Sequence, residues 1–140
     1  MGSIENKTIL ITGGSKGIGY GIAEALVKES AKVAITSRSQ ATANEAAARL
    51  NELGKGEALG IAADVRNADA QQKAVDSVLK KWKKLDVLVA NAGLGYFSSI
   101  ETLTNEQWLE TIDTNLTGVF YSIKASISAL KESKGYIITM

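Results

Sequence analysis

Near its amino terminus the chain reads Lys7-Thr8-Ile9-Leu10-Ile11-Thr12-Gly13-Gly14-Ser15-Lys16-Gly17-Ile18-Gly19. The apolar run over residues 7–12 is typical of a strand buried on both faces of a parallel sheet. A glycine-rich turn follows directly. Apolar residues then recur at helical spacing, at Ile18, Ile22, Leu26 and Val27. The sequence therefore predicts a strand, a glycine loop and a helix, in that order.

The glycines of this loop have the spacing Gly-x-x-x-Gly-x-Gly, without the Gly-Lys-Ser/Thr ending of a P-loop. Gly13 permits a tight turn, Gly17 lets the backbone approach a ligand, and Gly19 lets helix and strand pack closely. Backbone N–H groups at the start of a helix are suited to bind the diphosphate of a dinucleotide. A plain tight turn would also explain three glycines, but the position between strand and helix favours the binding function.

Strand and helix patterns alternate along the rest of the chain. Further strands are predicted over residues 32–37, 58–63, 86–90 and 136–140, with helices over residues 43–53, 74–82 and 108–130. Thr104-Asn105-Glu106-Gln107 resembles a capped start of the last helix. The alternation implies parallel strands joined by right-handed crossovers. We expect one domain over residues 1–140 with an α/β fold, a doubly wound parallel sheet whose first strand is central and whose order reverses between the first and fourth strands.

Composition excludes several classes of function. The net charge is +1, so no electrostatic feature favours nucleic acid or an anionic membrane as a partner. The chain has neither cysteine nor histidine, which excludes disulfides, thiol chemistry and Ser-His pairs within it, and we expect no metal site. No apolar stretch approaches the roughly 20 residues of a membrane span. Residues 1–6 lack the apolar core of a signal peptide, and we expect a cytoplasmic protein.

Three further motifs stand after predicted strands or in the long helix. Asp64-Val65 follows the third strand, Asn91-Ala92-Gly93 follows the fourth, and Asn115-Leu116-Thr117-Gly118 lies in the last helix. Together with the glycine loop, and in this order, they resemble the short-chain dehydrogenase/reductase family over nearly the whole chain. The resemblance implies a Rossmann-type sheet, here incomplete with about five strands and flanking helices. It also implies hydride transfer between a nicotinamide cofactor and a small-molecule carbonyl or alcohol substrate.

The resemblance assigns roles to the matching residues. In the glycine loop, the residues expected to bind the cofactor are Gly13, Ser15, Lys16, Gly17, Ile18 and Gly19. Asp64 and Val65 should border the adenine, whereas Asn91, Ala92 and Gly93 should flank the adenosine ribose and pack behind the glycine loop. For Thr12 and Asn91, an alternative is that they mainly tie neighbouring strand ends together by hydrogen bonds.

Asn115 corresponds to the family's helix-bending asparagine, and it is the catalytic residue that the resemblance assigns to this chain. In the family its backbone carbonyl holds a water in the proton relay. The alternative for Asn115 is a polar side chain that faces solvent on a helix.

The end of the second strand indicates which cofactor is preferred. A site that prefers NAD usually has an acidic residue there, which binds the ribose 2′-hydroxyl and would repel a 2′-phosphate. Here Ser37 and Arg38 take that place, and no acidic residue is near. Arg38 has a planar guanidinium suited to phosphate, and Lys16 adds a second cation. Together they favour NADP(H) over NAD(H).

The family's proton-transfer residues, a Ser and a Tyr-x-x-x-Lys motif, come after the fifth strand. Four residues after the tyrosines of this chain stand Glu24, Ile100, Ala125 and Met140, and none is lysine. We therefore expect a domain that is truncated in its fifth strand and is inactive alone. Apolar residues of the long helix, Val119, Phe120, Ile123 and Ile127, would need cover from later elements. The family implies a homo-oligomer, a tetramer or a dimer, for the complete protein.

Two other functions fit part of the pattern. One is a dinucleotide-binding module or fragment without catalysis, for which we would expect an ending at Met140. The other is a methyltransferase with a similar sheet. That class also needs an acidic residue after its second strand, so Ser37 and Arg38 argue against it.

Overall fold

The computed structural model describes residues 3–140. Met1 and Gly2, the first two residues of the segment predicted to lack a signal peptide, lie outside the described residues. The strands are β1 (Thr8–Ile11), β2 (Lys32–Ser37), β3 (Glu57–Ala62), β4 (Val87–Ala90) and β5 (Tyr136–Thr139). The helices are α1 (Gly17–Lys28), α2 (Gln40–Asn51), α3 (Ala68–Trp82), α4 (Asn105–Ile112) and α5 (Gly118–Ser133), with a π-helical turn (Asp113–Thr117) between the last two. Within residues 3–140, no helix is long and apolar enough to cross a membrane.

The five strands form one parallel sheet in the order β3-β2-β1-β4-β5. β1 is central between β2 and β4, so the strand order reverses between β1 and β4. This confirms the predicted Rossmann-type α/β fold. In such sheets ligands bind at the carboxyl ends of the strands where the order reverses. The loops that follow β1, β2, β3 and β4 therefore meet at one edge of the sheet.

Side-chain alternation along β1 separates two apolar cores, one on each face of the sheet. Ile9 and Ile11 pack on the face that α1 and α2 cover, and both are almost fully buried. Leu10 points to the opposite face, where α3 and α5 contribute Val78 and Leu130. Because β1 is covered on both faces, its residues must be apolar without interruption, as the sequence pattern predicted.

The long helix predicted before the fifth strand is divided by the π-helical turn. α4 begins with the predicted capping box. The hydroxyl of Thr104 accepts from the backbone N–H of Gln107, and the side-chain oxygen of Gln107 accepts from the backbone N–H of Thr104. In the turn, the N–H of Gly118 bonds to the carbonyl of Asp113, five residues back. An apolar periodicity near 3.6 does not reveal one inserted residue, because the residues on either side of it keep helical spacing.

Two apolar residues of the predicted helices are exposed. Ile18, the first residue of the apolar spacing after the glycine loop, is 68% exposed, and the buried stripe of α1 consists of Gly19, Ala23 and Val27. On α5, Phe120 is 57% exposed. Val119, Ile123 and Ile127 are half-buried.

Gln71 links two elements beneath the sheet edge. It lies on α3 and is 1% exposed. Its amide donates to the backbone carbonyl of Asp64 (Nε2 to O, 3.1 Å) and accepts from the hydroxyl of Ser122 on α5 (3.1 Å). Buried polar groups need such partners, because an unsatisfied one costs about 1–3 kcal/mol. Gln71 therefore fixes the segment after β3 relative to α5.

We predict that Gln71→Ala lowers the free energy of unfolding by about 1–3 kcal/mol, because it removes the hydrogen bonds to the carbonyl of Asp64 and to the hydroxyl of Ser122 and opens a small cavity. Urea unfolding measures the change. Gln72→Ala is the matched control, since Gln72 is exposed and bonds only to Asp76 across one helical turn. Equal effects of the two substitutions would contradict the structural role of Gln71.

Candidate functional site

A pocket of about 740 Å³ opens at the carboxyl ends of β1 to β4. This volume is within the range of small-molecule and cofactor pockets, about 300–1,000 Å³. Twelve of the thirteen cofactor residues predicted from the sequence line the pocket, namely Gly13, Ser15, Lys16, Gly17, Ile18, Ser37, Arg38, Asp64, Val65, Asn91, Ala92 and Gly93. The thirteenth, Gly19, lies behind it. The fold thus brings together residues that are up to 80 positions apart in the chain.

The glycine loop is built on close backbone contacts. Gly13 has φ +65° and Gly17 has φ +57°, a region that favours glycine. A Cβ at Gly13 would lie 2.9 Å from the Cα of Ala92, and one at Gly19 would lie 2.5 Å from Nδ2 of Asn91 and 2.7 Å from the carbonyl oxygen of Gly13. Gly13 and Gly19 therefore let the loop lie directly on the segment after β4.

The first turn of α1 faces the pocket with its backbone N–H groups. Lys16 is the N-cap residue and makes no side-chain capping bond, so no side chain of the cap occupies these donors. The positive end of the helix dipole lies at the same place. Ile18 is exposed because it belongs to this pocket wall rather than to the core. The arrangement is suited to bind an anionic group such as a diphosphate.

Thr12 and Asn91 tie the ends of β1 and β4 together. The hydroxyl of Thr12 accepts from the backbone N–H groups of Asn91 and Ala92, both at 3.0 Å. The amide of Asn91 donates to the carbonyls of Thr12 (3.0 Å) and Gly13 (3.3 Å). The strand-tying role is thus present in the structure, and Asn91 also lines the pocket.

The end of β2 forms another wall of the pocket. Thr36, which the sequence analysis did not single out, accepts from the backbone N–H of Gly13 (N to Oγ1, 3.3 Å) and so holds the glycine loop. Ser37 is half-buried, whereas Lys16 and Arg38 are exposed. Among residues 3–140, neither cation pairs with a carboxylate within 4.0 Å.

Asp64 is held by an arginine that the sequence analysis missed. Arg66 donates from its backbone N–H (2.9 Å) and Nε (3.1 Å) to Oδ1 of Asp64, and from Nη2 (2.7 Å) and Nε (3.2 Å) to Oδ2. Nη1 of Arg66 also bonds to Glu110 of α4 (3.3 Å). Hydrogen bonding to the Arg66 side chain lowers the pKa of Asp64 and raises the pKa of Arg66.

Glu110 extends this network to the loop after β4, because it also accepts from the hydroxyl of Tyr96. That bond raises the pKa of Tyr96. An aspartate followed two residues later by an arginine is the only signal of the network in the sequence, since its other members are at least 14 positions apart. The network connects the pocket wall at Asp64 to the loop after β4.

Asn115 lies in the π-helical turn and contacts the loop after β4. Its side chain accepts from the N–H of Leu94 (2.9 Å) and donates to the carbonyl of Leu94 (2.8 Å). The residue is exposed, as the simpler alternative expected, yet both its amide oxygen and its amide nitrogen bond to this backbone. Its neighbours Thr114 and Leu94 line the pocket. The other lining residues that the sequence analysis missed are Thr36, Ser39, Thr42, Ala63 and Arg66.

Comparison with known proteins agrees with this geometry. Residues 7–140 match the family described as short chain dehydrogenase. The chain belongs to the short-chain dehydrogenase family. Within this family, it is 36% identical over 141 residues to a 3-oxoacyl-[acyl-carrier-protein] reductase of Synechocystis sp., with 100% of this chain and 57% of that protein covered. It is 33% identical over 142 residues to a 3beta-hydroxysteroid dehydrogenase of Mediterraneibacter gnavus, with 100% of this chain and 51% of the relative covered.

Solved structures of short-chain dehydrogenases superpose closely. An alcohol dehydrogenase from the archaeon Thermococcus sibiricus, complexed with 5-hydroxy-NADP, has a TM-score of 0.90 and 36% identity and covers 96% of this chain and 57% of its own. A 3-ketoacyl-(acyl-carrier-protein) reductase from Brucella melitensis, complexed with NADH, has a TM-score of 0.90 and 32% identity, covering 98% of this chain and 57% of its own. The chain thus spans about half the length of the curated relatives it matches.

We predict opposite effects of alanine at two glycines of α1. Gly19→Ala should lower thermal stability, because its Cβ would meet Asn91 and the backbone of Gly13 at less than 3.0 Å. Gly21→Ala should raise stability by up to about 1 kcal/mol, since alanine is the better helix former and nothing lies within 4 Å of the added Cβ. Thermal unfolding followed by circular dichroism measures both. A stable Gly19→Ala variant would show that the helix start does not rest on the segment after β4.

Proposed function

We propose that this chain is the cofactor-binding part of an NADP(H)-dependent oxidoreductase. The reaction is hydride transfer between the nicotinamide and a carbonyl or alcohol substrate. The proposed domain covers residues 1–140. None of the four tyrosines has lysine four residues later, and we therefore propose that these residues alone bind the cofactor without turning over a substrate.

The pocket fits a dinucleotide in shape and in chemistry. Gly13 and Gly19 leave a bare backbone surface where a Cβ would collide with the segment after β4. The uncapped start of α1 supplies N–H donors and a positive dipole for a diphosphate. Asn91, Ala92 and Gly93 line the side of the pocket next to this loop. The fit supports the proposed positions of the diphosphate and the adenosine ribose.

The observation that carries the preference for NADP(H) is the wall formed by the end of β2. Arg38 lines the pocket there, and the stretch from Thr36 to Ser39 contains no carboxylate. Lys16 adds a second cation from the glycine loop. The pocket's one predicted carboxylate, Asp64, is paired with Arg66 at 2.7 Å, which reduces its repulsion of a 2′-phosphate. The charges of the pocket therefore favour a cofactor that carries this extra phosphate.

When bound, the cofactor would supply the hydride-transfer centre, and the residues of this chain would bind and orient it. We retain Asn115 as a positioning residue of the proton relay. Its side chain is held by Leu94, and the role proposed for it is that of its backbone carbonyl. The substrate class remains a carbonyl or alcohol, and we propose a homo-oligomer for the complete protein.

A second candidate is a dinucleotide-binding module without catalysis, which the same pocket and glycine loop would serve. The two candidates differ in the longest natural form of the protein. An oxidoreductase would consume NADPH when a carbonyl substrate is added, whereas a binding module would hold NADPH without oxidising it.

We predict that Arg38→Asp reverses the cofactor preference. The fluorescence of the reduced nicotinamide gives Kd for NADPH and NADH with the full chain. NADPH should bind about 10- to 100-fold more weakly in the variant, since hydrogen bonds to charged groups contribute about 1.5–3 kcal/mol and the new carboxylate repels the 2′-phosphate. NADH should bind equally well or more tightly, because the new carboxylate can accept from the ribose 2′-hydroxyl.

Lys55→Asp is the matched control, since it makes the same change of charge at an exposed position before β3, at the opposite edge of the sheet. It should leave both dissociation constants nearly unchanged. If Arg38→Asp and Lys55→Asp weakened NADPH equally, the effect would be one of net charge, and the proposed phosphate site would be wrong.

A further inference from the structure

The ends of β2 and β3 place a basic and an acidic residue next to each other in the pocket. At the last contact between these strands, the N–H of Ala63 bonds to the carbonyl of Ser37 (2.8 Å). Arg38 and Asp64 directly follow these two residues, and both line the pocket. The pKa of Asp64 is lowered mainly by hydrogen bonding to Arg66 and also by the charge of Arg38. An acidic residue thus stands beside the cation to which the proposed function assigns the 2′-phosphate.

An unpaired carboxylate at Asp64 would oppose a 2′-phosphate in two ways. It would repel the phosphate directly, because like charges at short range disfavour each other. It would also compete with the phosphate for Arg38, since a guanidinium binds carboxylates and phosphates alike. The acidic residue after β3 would then have the same effect on a phosphate as an acidic residue at the end of β2.

Arg66 balances the charge of Asp64 from the side. Its backbone N–H, Nε and Nη2 contact the two carboxylate oxygens at distances from 2.7 to 3.2 Å, and Nε is shared between the oxygens. An ionised carboxylate has about four acceptor positions, so these three donors leave one position open to a ligand. Arg66 therefore compensates the charge of Asp64 while the carboxylate stays available in the pocket.

α4 holds Arg66 on its other side. Nη1 of Arg66 bonds to Glu110 (3.3 Å), which does not line the pocket and which also accepts from the hydroxyl of Tyr96. Isolated surface ion pairs contribute little, but a multiply bonded arginine–carboxylate pair within a network of charges is the exception. The network therefore keeps the guanidinium beside Asp64.

We propose that Arg66 is a specificity-determining residue for the 2′-phosphate and that it acts through the charge of Asp64. The inference rests on the proposed function. It assigns part of the preference for NADP(H) to the segment after β3, beyond the two cations at the glycine loop and at the end of β2.

The test measures Kd for NADPH and NADH with the full chain, by the fluorescence of the reduced nicotinamide, and takes the ratio of the NADH value to the NADPH value. Arg66→Gln leaves Asp64 uncompensated and should lower this ratio on the order of fivefold at low salt, the effect of one unit charge near the phosphate. The fall should shrink as salt is added, since salt screens exposed charges. The double variant Asp64→Asn/Arg66→Gln removes both charges and should restore the wild-type ratio.

Lys55→Gln serves as the control, because it removes one positive charge at an exposed position at the opposite edge of the sheet. Its ratio should equal that of the wild type, and so should that of Arg66→Lys, which keeps the charge. An unchanged ratio in Arg66→Gln, or a lowered ratio that persists in the double variant, would overturn the inference. If Arg66→Gln does not fold, Asp64→Asn decides, because it leaves Arg66 without its partner: a raised ratio supports the inference, and an unchanged ratio overturns it.

Failure of the proposed function gives a different result. The wild-type chain would then bind neither dinucleotide at the pocket. If it binds NADPH more tightly than NADH and only the predicted shifts of the ratio fail, the cofactor assignment stands and the role of Arg66 is wrong.

Discussion

The close contact between the start of α1 and the segment after β4 is the constraint on which the rest of the site depends. Gly19 lies so near Asn91 that a single added Cβ would have to displace its amide. The same amide binds the carbonyls of Thr12 and Gly13, and the hydroxyl of Thr12 binds the backbone that follows β4. Glycine packing and strand-end hydrogen bonds therefore fix the glycine loop before any ligand binds, so little ordering would oppose binding.

The parts that the sequence predicted are those with a local or topological signal. β1 and the glycine loop are contiguous in the chain, and alternating strands and helices leave few possible orders for a parallel sheet. Most of the pocket residues follow from this order, because they lie at the end of a strand, or just after one, at the same edge of the sheet; Thr114, in the π-helical turn, does not. Two features could not be predicted. The π-helical turn leaves the spacing of the apolar residues on either side unchanged. The contact between Arg66 and Glu110 joins residues 44 positions apart.

Two features determine the charge of the pocket: the absence of an acidic residue at the end of β2, and the pairing of the acidic residue after β3 with an arginine. The end of β2 has no acidic residue, which leaves Arg38 without a competing carboxylate nearby in sequence. The end of β3 does have one, but Asp64 is paired with Arg66, and its pKa is lowered by that pairing. Asp64 is therefore ionised near neutral pH, and its charge is balanced at short range. A 2′-phosphate approaching Arg38 would meet two uncompensated cations and one compensated acid.

The π-helical turn allows one stretch of chain to serve two neighbours of the pocket. Successive residues of an α-helix are rotated by about 100°, so one inserted residue turns everything after it by that angle. Gly118 can then lie against Val65, where a Cβ would come within 2.7 Å of its Cγ2, while Ser122 reaches Gln71. Glu110, before the turn, keeps the direction that brings it to Arg66. A continuous helix would keep either the contact of Glu110 with Arg66 or the contacts of Gly118 and Ser122, and would rotate the other side chains away. The π-helical turn therefore lets residues before and after it hold the segment after β3 together.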